Sequence, residues 1–472
     1  MILKRFYDEA LAQASYLVGC QATGEAIVVD PLRAVEPYIE AARSEGLTIT
    51  HVTETHIHAD FVSGSRELVH RTGATLLLSD EGGPDWRYAF AHRDGAHLLS
   101  DQDTFRIGNI LFEVLHTPGH TPEHLTFLVT DTAGADEPMG ALTGDFLFVG
   151  DVGRPDLLEK AAKVEGTMEA GARQLFESLA RFSNHEDWLQ IWPGHGAGSA
   201  CGKGLGAVPG STLGYERRFN PAFAHEREED FVAWVLSGQP DPPAYFAQMK
   251  RINRDGPPIL GGPPEIRALA PDTLAEALDD GVVVDVRPAD AFAGAHIPGV
   301  LNIPLNGSFT TMSGWLLPYD RPLHLIAESS GDAHEAARHL SSIGLDRLQG
   351  YWPTTVISEW ARAGNALQTV GRMTPEELED QLGNGDVHLV DVRWQREWDD
   401  GRIPGARHIS LGELEQRVGE IPDDRPVVLG CATGRRSAIA ASLLQRRGLD
   451  EVINLEGGFH RWRDEGRPTE RA

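Results

Sequence analysis

The chain has 472 residues, of which 41% are hydrophobic and 24% charged, and its formal net charge is −28. This length predicts about two to four globular domains, and the acidic balance excludes nucleic-acid binding and docking on anionic lipid, because no basic surplus is available to neutralise phosphates. Three widely separated cysteines predict no disulfide framework. Together with an amino terminus that lacks a sustained apolar run, they favour a cytoplasmic protein without a membrane span.

The first elements along the chain alternate between strand and helix patterns. Residues 14–19 and 26–30 predict a strand hairpin, residues 35–44 a helix, and residues 47–54 a half-buried strand, since apolar and polar side chains alternate there. Mixed α/β layers are therefore expected rather than an all-β domain. Asp30 lies at the end of a predicted strand, where no local feature makes it a ligand, and we assign it a structural role.

A possible metal motif follows the strand at 47–54. His56, His58 and Asp60 occupy every second position of a short loop before a helical stretch at 65–71. Two imidazoles and a carboxylate at this spacing can converge on one point, and they suit zinc or iron. A turn with ordinary polar residues is the commoner meaning of an isolated His-x-His, so this motif needs support from elsewhere in the chain.

Three later segments supply that support. A strand pattern at 111–116 leads into Pro-Gly-His120-Thr, a predicted turn at 142–145 carries Thr-Gly-Asp145, and an apolar run at 189–193 ends in Gly-His195-Gly. Each time, an apolar segment stops at Gly or Pro and is followed by a histidine or an aspartate. Four such coincidences in this order indicate a metal site.

The order of these motifs resembles the metallo-β-lactamase fold, an αββα sandwich, over residues 1–254. Hydrolases of this fold with two metals carry a histidine directly after the aspartate of the first motif, where this chain has Phe61. The persulfide dioxygenases are the branch that uses one iron. That resemblance implies His56, His120 and Asp145 as ligands of one Fe(II) per chain, with zinc as the alternative metal and with positions open for substrate and dioxygen.

The remaining polar residues of these motifs each have two alternative roles. His58, Asp60 and His195 are either possible metal ligands or residues that orient the ligands. The same resemblance places Arg154 near the pocket, where it binds the carboxylate of a small thiol or, about equally well, pairs with a neighbouring aspartate. A glycine-rich loop at 197–206 contains Cys201 and Lys203 and lets backbone approach a ligand closely. Cys201 either accepts sulfane sulfur or is a bystander.

Residues 255–265 are rich in glycine and proline and predict a linker, and an internal repeat follows it. Asp285-Val-Arg287 with Ile-Pro-Gly299 in the first copy matches Asp391-Val-Arg393 with Ile-Pro-Gly405 in the second, at a constant offset. This pattern resembles the rhodanese, or sulfurtransferase, domain. We call residues 266–366 the first repeat and residues 371–472 the second repeat, and we expect each to be a small doubly wound α/β unit.

The expected active loop distinguishes the two repeats. In the second repeat a buried-strand pattern ends at Cys431, followed by Ala-Thr-Gly434-Arg435-Arg436 and a helix predicted at 437–446. Backbone amides at a helix start and two guanidinium groups favour a thiolate, and such settings lower cysteine pKa values to roughly 3.5–7.5. Cys431, Gly434, Arg435 and Arg436 are therefore candidate residues of a sulfur-transfer site.

The first repeat lacks this chemistry. Glu328 stands at the position of the nucleophile and Asp332 at that of the first arginine. A carboxylate is a poor sulfur nucleophile and repels an anionic donor. We therefore expect an inactive pseudo-rhodanese that serves as a spacer or interface.

The whole layout resembles the persulfide dioxygenase–rhodanese fusions of the CstB type. The resemblance implies oxidation of a low-molecular-weight persulfide by O2 to sulfite, and sulfur transfer through Cys431 that gives or uses thiosulfate, in sulfide detoxification. A homo-oligomer, dimer or tetramer, is also expected. Three alternatives remain: a zinc thioester hydrolase of the glyoxalase II type fused to a sulfurtransferase, a non-enzymatic sulfur carrier or adaptor, and a sulfurtransferase whose N-terminal domain is silent.

Overall fold

The computed structural model describes residues 1–157, 159, 166–239 and 241–471. The chain divides into two compact units, Met1–Pro263 with Ser341–Gly344, and Pro264–Leu340 with Leu345–Ala472. Among the described residues, no helix has the length and apolar character needed to cross a membrane.

The first unit consists of two six-stranded sheets with helices on their outer faces. The sheet orders are β1-β2-β3-β4-β5-β6 and β12-β11-β10-β9-β8-β7. The strands are β1 (Ile2–Asp8), β2 (Gln13–Cys20), β3 (Glu25–Val29), β4 (Thr48–Thr53), β5 (Thr75–Ser79), β6 (His97–Leu99), β7 (Thr104–Ile107), β8 (Ile110–His116), β9 (Leu125–Asp131), β10 (Gly140–Gly144), β11 (Gln190–Pro193) and β12 (Ser211–Thr212). The helices are α1 (Glu36–Ser44), α2 (Ser65–Thr72), α3 (Thr167–Phe182), α4 (Leu213–Phe219), α5 (Glu228–Leu236) and α6 (Phe246–Asp255).

Three hydrophobic clusters hold these layers together. Tyr16 and Phe112 belong to the cluster between the two sheets. Leu68 belongs to the cluster under α1 and α2, and Leu175 and Phe231 belong to the cluster that α3 and α5 cover. Each sheet therefore buries both faces, as a four-layer sandwich requires. The predicted αββα sandwich is confirmed.

One local prediction in this unit is wrong. The turn expected at 142–145 is instead strand β10 up to Gly144, which pairs antiparallel with β9 and parallel with β11. Gly140, the first residue of this strand, allows a close approach, because a Cβ atom there would lie 2.4 Å from the Trp192 ring. The turn begins only at Asp145.

The second unit contains two parallel sheets, one in each repeat, in the orders β14-β13-β15-β16 and β17-β21-β20-β18-β19. The strands are β13 (Val282–Asp285), β14 (Leu301–Asn302), β15 (Leu323–Ala327), β16 (Leu348–Pro353), β17 (Gly371–Met373), β18 (His388–Asp391), β19 (Arg407–His408), β20 (Val427–Gly430) and β21 (Val452–Leu455). The helices are α7 (Leu274–Asp280), α8 (Ala289–Gly294), α9 (Phe309–Leu316), α10 (Ser330–Ser342), α11 (Thr355–Arg362), α12 (Pro375–Asn384), α13 (Gln395–Asp400), α14 (Leu414–Arg417), α15 (Arg435–Arg446) and α16 (Gly458–Asp464).

The second repeat shows how local sequence sets these elements. Thr374 caps α12 and forms the predicted capping box with Glu377, whose carboxylate accepts the Thr374 backbone N–H at 2.8 Å. Strand β20 lies in the middle of its sheet, so the loop that follows it opens at the carboxyl edge, where doubly wound sheets bind ligands. Helix α15 begins at Arg435, two residues earlier than the sequence predicted.

Candidate active sites

Three buried side chains meet at one edge of the first unit. His56 follows β4, His120 follows β8, and Asp145 follows β10. Their potential ligand atoms all lie within 4.8 Å of one another. Asp145 Oδ2 is 3.9 Å from His56 Nε2 and 3.5 Å from His120 Nε2. The structure thus brings together the three residues that the resemblance implies as ligands.

The hydrogen bonds around this set leave its metal-facing atoms available. His120 Nδ1 donates to the Arg154 carbonyl at 3.0 Å, and His56 Nδ1 lies 2.9 Å from Thr55 Oγ1, so both rings direct Nε2 at Asp145. Burial lowers the pKa of both imidazoles, which favours the neutral form that binds metals. Both carboxylate oxygens of Asp145 are buried without a hydrogen-bond partner among the described residues. Two imidazole nitrogens and a carboxylate fit a divalent iron or zinc ion.

Gly144 and His124 position Asp145. Gly144 has a φ of +47°, and a Cβ atom there would lie 2.5 Å from Thr55 Oγ1, so only glycine allows the backbone this close approach. The Asp145 N–H donates to His124 Nε2 at 3.1 Å, and His124 Nδ1 lies 2.9 Å from Thr117 Oγ1. His124 therefore orients the backbone of one of the three candidate ligands.

Asp30, to which the sequence assigned a structural role, holds the loop that carries His56, and its partners could not be read from the sequence. Its buried carboxylate accepts hydrogen bonds from Thr55 N at 2.6 Å and Thr55 Oγ1 at 2.9 Å, and it lies 3.0 Å from His58 Nε2. Its backbone has a φ of +53°, uncommon for a residue other than glycine. Burial opposes charge on His58, but the Asp30 carboxylate raises the pKa of His58 to about 9. Asp30 thereby holds the start of the His56 loop.

A second cluster lies beside the first. Asp60, His195 and Cys201 place one potential ligand atom each within 4.8 Å of the others, and all three are buried. His195 Nδ1 lies 3.0 Å from the Ala12 carbonyl, while its Nε2 lies 3.2 Å from Asp60 Oδ2 and 3.5 Å from Asp145 Oδ1. Burial, followed by the charges of Asp145 and Asp60, raises the pKa of the Cys201 thiol well above its usual range.

Phe61 directly follows Asp60 in the chain. It is fully buried, and its ring centroid lies 4.4 Å from that of His58. A phenyl ring offers no lone pair, so the residue contributes packing and no ligand. His58 itself has a buried Nδ1 without a partner among the described residues.

The two candidate cations near this pocket already have partners. Arg154 is fully buried and makes a double hydrogen bond with Asp156, at 2.8 and 2.7 Å. Of the two roles left open by the sequence, the structure favours the ion pair, although it is buried rather than exposed. The Lys203 ammonium donates to the carbonyls of Trp234 and Ser237 at the end of α5.

The second repeat places Cys431 directly after β20. The sulfur is buried and accepts hydrogen bonds from Gly434 N at 3.1 Å and from Ser437 Oγ at 3.4 Å. Gly434 has a φ of +91° and forms the N-cap of α15, so the sulfur faces the positive end of the helix. The loop can therefore hold a negative charge on sulfur.

Two arginines begin α15, and among the described residues they differ in their contacts. Arg436 makes two hydrogen bonds of 2.6 Å with Glu397, and its guanidinium lies 5.6 Å from the centre of the Trp394 ring. Burial opposes the charge on Arg436, yet Glu397, with smaller contributions from Cys431 and Asp391, raises its pKa. Arg435 is exposed to solvent.

The corresponding loop of the first repeat closes on itself. Asp332 Oδ2 accepts the Ser329 N–H at 3.0 Å, and Asp332 N donates to Ser329 Oγ at 3.1 Å. Glu328, at the position of Cys431, is exposed. This loop therefore presents carboxylates where the second repeat presents a thiol.

Comparison with known proteins agrees with this architecture. The metallo-beta-lactamase superfamily model matches residues 8–195, and the rhodanese-like domain model matches residues 270–358 and 374–465. A crystal structure of a metallo-beta-lactamase from Staphylococcus aureus is 46% identical, covers 75% of this chain and 99% of its own, and superposes with a TM-score of 0.69.

Two relatives that match the first unit are named as different enzymes. The hydroxyacylglutathione hydrolase of Prochlorococcus marinus is 29% identical over 45% of this chain and 86% of its own length. The human mitochondrial persulfide dioxygenase ETHE1 is 28% identical over 34% of this chain and 59% of its own length. The chain belongs to the metallo-beta-lactamase superfamily, as a fusion of one such domain with two rhodanese-like domains.

Proposed function

We propose that the protein oxidises a low-molecular-weight persulfide with dioxygen and separately transfers sulfane sulfur through Cys431, in the detoxification of sulfide. The overall oxidation is RSSH + O2 + H2O → RSH + sulfite + 2 H⁺. The observation that carries the proposal is one complete set of two imidazoles and a carboxylate, His56, His120 and Asp145, next to a second position where Phe61 supplies no ligand. The resemblance to persulfide dioxygenases, to which a human relative also belongs, supports the choice of chemistry.

In the first unit the protein's own residues bind and orient the reacting groups, and they exclude water. His56, His120 and Asp145 would hold one ferrous ion, which supplies the redox chemistry that dioxygen activation requires. Asp30 and Thr55 fix the loop that carries His56. Because these groups are buried, a bound anion would meet few competing waters, and electrostatic attraction to the site is strengthened. Cys201, in the neighbouring cluster with Asp60 and His195, presents a protonated thiol and is a candidate substrate contact.

In the second repeat the sulfur atom moves in two balanced steps. The Cys431 thiolate attacks the terminal sulfur of RSSH, so that a new S–S bond forms, the old one breaks, and RSH leaves with the proton. Sulfite then attacks the outer sulfur of Cys431–S–S⁻ and leaves as thiosulfate, which restores the thiolate. Gly434 N and Ser437 Oγ donate to the sulfur, and Arg436 adds positive charge nearby. The reverse direction uses thiosulfate as the donor.

A thioester hydrolase is the second candidate for the first unit. Asp60 Oδ2 and His195 Nε2 are buried and lack hydrogen-bond partners among the described residues, as unfilled metal ligands would. A relative named as a hydroxyacylglutathione hydrolase also favours this activity. Phe61 argues against it, because the second metal of such enzymes needs another ligand.

The deciding experiment measures oxygen uptake with glutathione persulfide on anaerobically iron-loaded protein, with metal content determined on the same sample. We expect uptake in proportion to about one iron per chain, with sulfite or thiosulfate as product. Cys431→Ser is expected to abolish sulfur transfer and leave oxygen uptake unchanged, whereas His120→Ala is expected to do the opposite. Loss of both activities in the Cys431→Ser protein would contradict two separate sites. Absence of uptake with several persulfides, together with cleavage of a hydroxyacylglutathione by zinc-loaded protein, would establish the hydrolase instead.

A further inference from the structure

The first repeat lacks a nucleophile, yet it is closely packed against the second repeat at the active loop. Helix α15 begins at Arg435, directly after Gly434. Most of its residues from Ser437 to Gln445 are buried. A surface helix normally exposes one face. Here β14 of the first repeat covers that face, and Asn302 N donates to Ser442 Oγ at 2.9 Å. The inactive repeat is thus part of the support of the active helix.

The contact continues towards the mouth of the loop through a pair of indole rings. Trp315, on α9 of the first repeat, has its ring centroid 4.8 Å from that of Trp394 in the second repeat, with an angle of 31° between the planes. Trp315 also lies against Gly412 of the second repeat, where a Cβ atom would come within 2.6 Å of the indole. Gly412 therefore permits the close approach, and any larger residue would displace Trp315.

Trp394 belongs to a closed set of contacts that ends at Arg436. The Trp394 backbone N–H donates to Glu397 Oε2 at 3.1 Å, and Glu397 binds the Arg436 guanidinium through both carboxylate oxygens. This guanidinium lies over the Trp394 ring. Arg436 lies in the first turn of α15, between Gly434 and Ser437, which both donate hydrogen bonds to the Cys431 sulfur. The path from Trp315 to the nucleophile therefore runs through Trp394 and Arg436.

We propose that Trp315 of the first repeat is a positioning residue for the sulfur-transfer site of the second repeat. It restrains the Trp394 ring, and Trp394 together with Glu397 fixes the Arg436 guanidinium beside Cys431, where it binds the anionic sulfur donor. This inference rests on the proposed sulfurtransferase activity of Cys431. It gives the inactive repeat a role in recognition: loss of Trp315 should weaken binding of a dianion such as thiosulfate more than it slows the transfer step.

The test uses full-length protein and follows sulfur transfer from thiosulfate to cyanide, which gives thiocyanate and sulfite. For Trp315→Ala we expect KM for thiosulfate to rise about five-fold, the size expected from losing one aromatic pair, while kcat stays within about two-fold of wild type. Trp315→Phe should restore most of the loss because it keeps an aromatic face. Gly412→Ala perturbs the same contact from the other repeat and should raise KM in the same direction.

Two variants serve as matched controls. Trp360→Ala removes an indole from α11 of the first repeat, which hydrogen-bonds only locally to the Ala366 carbonyl. Gly419→Ala adds a methyl group in the second repeat where no atom lies within 4 Å. Both should retain the wild-type KM. A circular dichroism couplet from the two neighbouring indoles, present in wild type and lost in Trp315→Ala, reports the packing without reference to activity.

The outcomes separate the two levels of the proposal. If Trp315→Ala loses the couplet but keeps the wild-type KM, the positioning role is wrong. If kcat and KM both deteriorate and Trp315→Phe gives no rescue, Trp315 is only structural, and the proposal is also wrong. If Trp315→Ala does not fold, Gly412→Ala decides by the same KM criterion. Absence of transfer by wild-type protein, with the couplet present, would instead refute the activity of Cys431.

Discussion

Asp30 makes the sharpest test of how the first unit organises its metal site. Its carboxylate satisfies two donors on Thr55 and contacts His58, and all of these groups are buried. Asp30→Ala removes the acceptor for all three and places alanine at a φ of +53°. An unpartnered buried donor costs about 1–3 kcal/mol, and a left-handed backbone costs a residue with a Cβ about 1–2 kcal/mol. With three such donors, we expect a destabilisation of at least about 4 kcal/mol in total.

Asp30→Asn separates charge from geometry. Asparagine is tolerated in the left-handed region, and its amide can face Thr55 Oγ1 while its oxygen accepts from Thr55 N. Only the strength of charge-assisted hydrogen bonds is lost, so the expected cost is about 1–2 kcal/mol. Both variants should bind iron more weakly, by about 10–100-fold, because residues that orient metal ligands have effects of this size.

Calorimetry and competition with a chelator measure these two effects. A shift of about 2–4 °C per kcal/mol is expected for a domain of this size, which gives at least about 8 °C for Asp30→Ala and about 3–6 °C for Asp30→Asn. Asp101→Asn is the matched control, because the Asp101 carboxylate also accepts a backbone N–H, from His116 at 2.7 Å, but contacts none of the three candidate ligands. Equal iron affinity in Asp30→Ala and wild type would refute the positioning role of Asp30.

Two further predictions concern Phe61 and Glu123. Phe61→His, which restores an imidazole beside Asp60, should raise the metal content from about one to about two ions per chain, measured by elemental analysis; an unchanged content would show that Phe61 is not what limits the second position. Burial raises the pKa of Glu123 to about 7 from an ordinary value of 4.5. Between these values the folded state keeps a proton that the unfolded state loses. The contribution of Glu123 to the free energy of unfolding therefore falls as pH rises through about 7. Glu123→Gln should remove that decline, which is on the order of 3 kcal/mol. The difference in unfolding temperature between variant and wild type should therefore widen from pH 5 to pH 7.5. Parallel pH profiles of the two proteins would contradict the assignment.

The sequence was most informative where a residue's role depends on its immediate neighbours. His56, His120 and Asp145 each follow the end of a strand, and the ends of neighbouring strands meet at one edge of a sandwich, so their convergence could be predicted from the motifs. The same holds for Thr374 and Glu377, because a capping box is complete within four residues. Local patterns therefore predicted the elements and a set of residues that includes the three of the candidate metal site.

The sequence was least informative where a role depends on a distant partner. Asp30 acts on Thr55 and His58, on the far side of α1 and β4, and no pattern around Asp30 indicates this. Arg154 stands close to both Asp151 and Asp156 in the chain, and only the folded backbone selects Asp156. Likewise, Cys201 lies in a glycine-rich segment whose sequence does not indicate the partners of the thiol, and the fold buries it against Asp60 and His195.

The two repeats show why a motif that identifies a fold need not identify an activity. In the first repeat Arg287 binds Asp285 with Nε at 3.0 and 2.9 Å and Nη2 at 2.7 Å, and Arg393 binds Asp391 in the second repeat at the same three distances. These buried pairs fix the end of the same strand in both repeats. They are therefore independent of whether a cysteine stands in the loop.

The chemistry of the repeats depends instead on one short segment. Replacing Cys431 with glutamate, the residue that the first repeat has at this position, would leave the buried pair, the sheet order and the helix after the loop in place. It would nevertheless remove the only thiol among the described residues of the second unit. The first repeat is evidence that such a loop is compatible with the fold. Retention of a repeat without a nucleophile then requires a role in packing or recognition, and the contact of Trp315 with Trp394 provides one.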